Sequence, residues 1–221
     1  MRSPSKPRRL IVIGGGEHAC VVIDAAQSRP DLFAVQGVVD AALRPRAVSQ
    51  LKIPRLGGDE SALARAADPD TLFLLGFSGL HSRPAAVRLT KLYEAQGARF
   101  AVLVHASAVV SPNAHLQPGV FVAARAVIQT GARISRHAVV NTGSIVEHDV
   151  TLGAFAHLAP GAVTGGGVRI GARAFVGLGA IIRDHIKVGS DAIVGMGATV
   201  VRDVPRGARV LGTPARRPLK R

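Results

Sequence analysis

Tryptophan is absent from this 221-residue chain, and aromatic residues make up only 4% of it. A broad layered core built on large rings is thereby excluded; Val, Ile, Leu and Ala must fill the interior, which suits a narrow prism. There is one cysteine, Cys20, so no intrachain disulfide can form and a reducing cytoplasm is the expected compartment. Long apolar runs are missing too: none approaches the roughly eighteen residues of a membrane span. The basic residues 1–9 lead into Leu10, Ile11, Val12 and Ile13 and then three glycines, too short an apolar stretch for a signal-peptide core. Acids are scarce, 14 Asp and Glu against 28 Lys and Arg, leaving a net charge of +14. Eight of those charges fall in two tails expected to be mobile: Arg2, Lys6, Arg8 and Arg9, then Arg216, Arg217, Lys220 and Arg221. No aromatic-and-basic platform and no nucleic-acid motif accompanies them, so nucleic acid is not an expected partner, whereas phosphate-bearing small molecules are.

What the chain does have is a period of six. From Val104 to Val200 an aliphatic residue or threonine falls on every sixth position, seventeen times without an insertion, and only Thr164 is not aliphatic. Four residues after each comes a small or aliphatic side chain, as at Ala126, Ala132, Ala138 and Ser144. Six fits neither the 3.6 of a helix nor the 2 of a simple strand, but it fits one side of a coiled prism, a parallel β-helix. Three hexads make a coil of about eighteen residues, giving roughly five and a half coils. The aliphatic residue points inward and the small one sits at the corner, with Gly119, Gly131, Gly153, Gly171 and Gly189 expected to supply positive φ in the turns. A sandwich of alternating strands would not keep one register over such a length.

The first hundred residues read differently, and the domains are expected at 1–103 and 104–221. Residues 9–13 form an apolar strand, and Gly14, Gly15 and Gly16 form a turn that opens a helix. Residues 33–39 are a second strand ending at Asp40, and residues 71–75 a third, with Gly76-Phe77-Ser78-Gly79 at its carboxyl end. Residues 83–96 have helical periodicity and residues 99–104 a short strand. Strands alternating with helices imply a parallel sheet. A glycine turn between strand and helix aims backbone N–H groups at a phosphate, and Asp40 stands where an acid meets a ribose or base edge. The same glycines also serve if they only permit a tight turn. The domain is half the size of a full dinucleotide fold, so a mononucleotide or nucleotide-sugar fits better than a dinucleotide.

A smooth prism wall offers no deep pocket, so a site must form at an edge or between subunits. Of eight histidines, His148 stands out, because Glu147 and Asp149 flank it. A carboxylate beside an imidazole fixes its tautomer and supports it as a base near neutral pH. His157 lies half a coil further on.

The whole chain resembles the NeuD/PglD-type hexapeptide-repeat sugar acyltransferases. The resemblance is carried by Gly14-Gly15-Gly16-Glu17-His18-Ala19, Leu56-Gly57-Gly58-Asp59-Glu60, residues 105–112, residues 141–149 and Gly212-Thr213-Pro214-Ala215-Arg216, in the family's order. It implies a Rossmann-like nucleotide-sugar domain joined to a left-handed β-helix, a homotrimer with active sites between subunits, and acetyl transfer from acetyl-CoA to a sugar amine or hydroxyl. No metal is implied. By position His148 matches the general base and Asp149 the acid that orients it, where many relatives carry Glu. Asn141 and His157 match positions near the thioester and pantetheine arm, and Gly166, Gly177 and Leu178 the wall beside that arm. Gly14, Gly15, Gly16, His18, Asp40 and Gly76 fall on the nucleotide-sugar side. Glu17 and Cys20 depart from the family's usual Gly and Lys or Arg, and Phe77 from its usual Asn. N-acetylation of a nucleotide-linked amino sugar is the leading expectation, O-acetylation of a sialic-acid-like sugar the second. A zinc-dependent carbonic anhydrase of the same prism needs two histidines about five residues apart, a spacing missing here. A non-enzymatic scaffold needs no acid–histidine–acid segment.

Overall fold

The computed structural model describes residues 6–216, and the chain divides between Ala106 and Ser107 into two compact units. Arg2, Arg217, Lys220 and Arg221 lie outside the described residues. Arg8 and Arg9, counted above with a tail, instead open the first strand: Arg8 donates to the Pro69 carbonyl (2.8 Å) and Arg9 pairs with Asp68. Neighbouring backbone and a carboxylate fix them, which a purely compositional reading misses.

In the first unit β1 (Arg8–Ile13), β2 (Phe33–Val39), β3 (Thr71–Leu75) and β4 (Arg99–Phe100) form a parallel sheet in the order β2-β1-β3-β4. Ile11 and Ile13 share one face with Phe73 and Phe100 in a cluster that includes Tyr93 and Ala62. Leu10 and Val12 alternate to the other face, as strand geometry requires, and α1 (Glu17–Gln27) buries Ala19, Val22, Ile23 and Ala26. Two short helices, α2 (Arg46–Leu51) and α3 (Asp59–Leu63), were not anticipated; six and five residues are too few to show a period. α4 (Arg83–Ala95) follows the helical spacing read above. The last strand segment is broken, with Arg99–Phe100 and Leu103–Val104 separated by two residues. The carboxyl ends of β1 and β3, neighbours on either side of the strand-order reversal, bring the turns at Gly14 and Gly76 together; Gly76 N–H donates to the Ile13 carbonyl at 2.7 Å.

The second unit is a left-handed parallel β-helix of two-residue strands on three faces. Pairing advances by eighteen residues per coil, as in Arg133 to Thr151 to Arg169 to Lys187. The hexad residues from Val122 to Val200 are buried, whereas Val110 and Leu116, in the open first coil, are half-exposed. The two polar residues inside are tied to backbone: Ser144 Oγ donates to the Ala159 carbonyl (3.0 Å) and Thr164 Oγ1 to that of Ile145 (3.3 Å). Each face presents a different outward column. The basic face carries His115, Arg133, Thr151, Arg169 and Lys187; the aromatic face Phe121, Val139, His157, Phe175 and Ile193; the aliphatic face Val109, Val127, Ile145, Val163, Ile181 and Thr199.

The corners correct one expectation. Gly119 and Gly131 do have positive φ, but Gly153, Gly171 and Gly189 do not. A Cβ at those three would fall 2.4–2.5 Å from the backbone nitrogen of the next coil, so they are glycine for close stacking. Several left-handed corners are instead filled by Arg125, His137, Asp149, Phe155, Arg173, His185 and Asp191.

Candidate active site

His148 and Asp149 occupy a corner between the aliphatic and basic faces, after the strand Ile145–Val146 and before Thr151–Leu152. Asp149 has a φ of 60°, the left-handed conformation that Gly131, Gly167 and His185 of the same corner column also adopt. That turn brings its Oδ2 to 2.9 Å from His148 Nδ1. The hydrogen bond, reinforced by the charges of Asp149 and Glu147, raises the imidazole pKa above its ordinary value despite slight desolvation. With Nδ1 held by the carboxylate, the other nitrogen, Nε2, is the proton-accepting atom. The side chain is 55% exposed, so an external group can reach it.

Gly166 stands one coil beyond His148, and an ideal Cβ there would lie 2.5 Å from both Cε1 and Nε2 of the ring. Gly131, one coil before Asp149, is likewise empty where a Cβ would meet the Asp149 carboxylate. Gly131 was read above only as a turn glycine. Adding or subtracting eighteen from the acid and the base is the signal that finds both.

Asn141 and His157 form a separate, buried pair about half a coil away. Asn141 Oδ1 accepts the Thr142 N–H at 2.8 Å, so Nδ2 faces His157 Nε2 at 3.3 Å. In that orientation His157 Nε2 is the acceptor of the amide N–H. Phe175 lies against that ring, with centroids 5.2 Å apart. Gly177 follows in the same corner column as Asn141; a Cβ there would meet Met196 N at 2.6 Å. Leu178 and Met196 next to it are exposed, 48% and 74%. Within one chain, therefore, His148, Asp149 and Gly166 come together, and Asn141, His157, Gly177 and Leu178 gather elsewhere on the prism.

In the first unit the glycine turn is closely packed. Gly14 N–H donates to the Val39 carbonyl and Gly15 N–H to Asp40 Oδ2, both at 2.7 Å. The other oxygen of Asp40 accepts the Ala42 N–H at 2.8 Å. A Cβ at Gly14 would strike Phe77, one at Gly15 would strike Pro45, and one at Gly76 the Gly14 carbonyl, whereas Gly16, which caps α1, faces open space. Each of Gly14, Gly15 and Gly76 thus has a packing reason, and Asp40 spends its carboxylate on the loop rather than leaving it open. Glu17 turns to Arg46, 2.6 Å away, so its charge is matched rather than set against a phosphate. His18 is largely desolvated, which pushes its pKa down to about 4 and keeps it neutral. Among the described residues no three His, Cys, Asp or Glu side chains stand ready for a metal ion, and no helix is long and apolar enough to cross a membrane.

A glycine-jointed corner carrying an imidazole–carboxylate pair on a left-handed β-helix, preceded by a small parallel α/β unit, defines an acyltransferase architecture. No family model and no curated protein sequence matches the chain. Among solved structures, the acetyltransferase domain of PglB from Neisseria gonorrhoeae, in complex with acetyl coenzyme A, is 32% identical over 96% of this chain and 99% of that one, with a TM-score of 0.87. PerB from Caulobacter crescentus, in complex with CoA and GDP-perosamine, is 34% identical over 95% of this chain and 96% of that one, TM-score 0.84. WeeI from Acinetobacter baumannii, 24% identical over 94% and 98% with a TM-score of 0.77, shares the fold. The chain belongs to the hexapeptide-repeat sugar N-acetyltransferases and is an acetyl-CoA-dependent acyltransferase.

Proposed function

We propose that this protein transfers the acetyl group of acetyl-CoA to the amino group of a nucleotide-linked sugar, with His148 as general base. The observation that carries the reading is the 2.9 Å contact between His148 Nδ1 and Asp149 Oδ2, which leaves Nε2 as the proton acceptor on an exposed corner. The neutral sugar amine attacks the thioester carbonyl, and a tetrahedral oxyanion forms. His148 Nε2 takes the amine proton, and the resulting imidazolium is stabilised by Asp149. Collapse of the intermediate breaks the carbon–sulfur bond, and the departing thiolate of CoA receives that proton. No covalent enzyme intermediate is involved, and Cys20, in the first unit, takes no part.

Acetyl-CoA is read as lying along Asn141, His157, Gly166, Gly177 and Leu178, and the nucleotide-sugar against Gly14, Gly15, Gly16, His18, Asp40 and Gly76. Because one prism separates the two acyl-side groups by half a coil, a homotrimer supplies the complete site, one subunit giving the base and its neighbour the pantetheine wall. The exposed apolar column of the aliphatic face supports that assembly: Val109 is 64% and Ile181 50% exposed, beside Met196 and Leu178. A single cysteine and acetyl-CoA chemistry fit the cytoplasm.

The test is thiol release from acetyl-CoA with UDP-, GDP- and dTDP-linked amino sugars and with their hydroxyl counterparts. Release with at least one amino sugar, falling by about 10²- to 10⁴-fold in His148→Ala, is the expected result. Release with hydroxyl acceptors alone would replace N- by O-acetylation, and wild-type rates in His148→Ala would remove the base.

A further inference from the structure

We propose that Gly166 and Gly131 are positioning residues: a seat, built from the coils on either side, that sets where the His148–Asp149 pair stands. The proposal rests on the acetyl-transfer reading above.

The run Gly165-Gly166-Gly167 has three glycines for three reasons. A Cβ on Gly165 would fall 2.6 Å from Asp184 N, so that residue is glycine for coil stacking. Gly167 has a φ of 65°, the left-handed corner conformation. Gly166 has neither reason. Its φ lies outside the left-handed region, and the three atoms nearest its would-be Cβ all belong to the His148 ring, with Cε1 and Nε2 at 2.5 Å. Real Cβ atoms do not approach so closely, so any side chain at 166 displaces the imidazole. On the opposite side Gly131 leaves room for the Asp149 carboxylate.

The pair needs such a seat because little else holds it. Both side chains are more than half exposed, and among the described residues the ring's side-chain hydrogen bond is the one to Asp149. The nitrogen that takes the proton is the atom against Gly166. A methyl there forces the ring to rotate, which lengthens the bond to Asp149 and carries Nε2 away from the reacting amine. The seat is therefore a second role for Gly166 beside the pantetheine wall: it acts on the base, whatever the residue does for acetyl-CoA affinity.

Gly166→Ala tests this, with Gly58→Ala as control, since Gly58 faces open space without positive φ. His148 is followed by NMR titration, alongside kcat, the KM for acetyl-CoA and thermal unfolding. In Gly166→Ala the His148 titration should move down toward an ordinary histidine, and kcat should fall about a hundredfold, the effect of a misplacement near 1 Å, whatever the change in KM. A raised KM with titration and kcat unmoved would overturn the seat and leave Gly166 as wall alone. If Gly166→Ala is destabilised, the same change in a His148→Ala background decides: recovery of stability supports the clash with the imidazole, and equal loss overturns it. Should wild type release no thiol with any acceptor, the transfer reading fails while the titration still judges the seat.

Discussion

Asp149 meets His148 from the left-handed backbone conformation that it shares with Gly131, Gly167 and His185 in its corner column. The Asp149 carboxylate raises the His148 pKa, so this imidazole stays protonated to higher pH than a free histidine. With His148 as the proposed base, kcat/KM should then climb with pH and level off only above that raised value. In Asp149→Asn the cause of the shift is gone, and the acid limb of the profile should move to lower pH while the plateau drops by about one to two orders of magnitude as the ring loses its orientation. The adjacency of His148 and Asp149 was readable in the sequence because they are chain neighbours and the flanking Glu147 marked the segment. Gly166 and Gly131, which leave room beside them, were written there too, at intervals of eighteen, but become visible only once the coil length is known. The fate of Asp40 was not readable: its role depends on the loop to Arg46 folding back, with Arg55 Nε donating to the carbonyls of Asp40 and Ala42 at 3.0 and 2.9 Å.

At the level of elements the prism is held by coil-to-coil contacts too close for a methyl group. Gly153→Ala would press its Cβ against Ala172 N, 2.5 Å away. Overpacking of this kind costs about 1–3 kcal/mol, which thermal denaturation should register as a lowered midpoint with the far-UV spectrum intact. The corner column running from His137 through Phe155 and Arg173 to Asp191 works the other way and joins coils. His137 stacks on Phe155 with centroids 4.9 Å apart, and Arg173 grips Asp191 through two hydrogen bonds of 2.7 and 2.8 Å. Since both partners are about one-third exposed, Asp191→Asn should cost only about 0.5–1 kcal/mol. The hexad pattern made the prism legible because inward side chains repeat whatever the corners contain. Corner chemistry was less legible: left-handed φ is spread over Arg, His, Asp and Phe as well as Gly, and several glycines answer to packing instead. In the α/β unit the strands were clear as apolar runs, whereas α2 and α3 owe their helicity to contacts that their few residues cannot announce.

The molecule as a whole carries +14 with little to offset it. On the basic face Arg169 lies directly opposite Lys187 on the neighbouring strand, an arrangement that like charges disfavour. Salt should therefore stabilise this protein: between about 0.01 and 0.15 M ionic strength the screening length falls from about 30 to 8 Å, and the thermal midpoint should rise, less so in Arg169→Gln. Acid should do the reverse. Burial pushes His137, helped by Arg136, and His18 down to about 4, below the 6.5 of a free histidine. Between those values the unfolded chain binds more protons than the folded one, so stability is complete above about pH 6.5 and declines as pH falls toward 4. His137→Phe should flatten that decline.

The eighteen-residue advance also gives the prism a phase, like the thread of a screw. Copying residues 169–186 in tandem after Ile186 keeps every later strand in register and leaves Gly166 over His148, so such a lengthened rod should still fold and turn over. Deleting one residue between Asp149 and Gly166 leaves composition almost untouched but turns the thread: the gap slides off the imidazole and the inward aliphatics of all following coils fall out of step. Tolerance to length change in this protein is thus a matter of whole turns, not of how much chain is added.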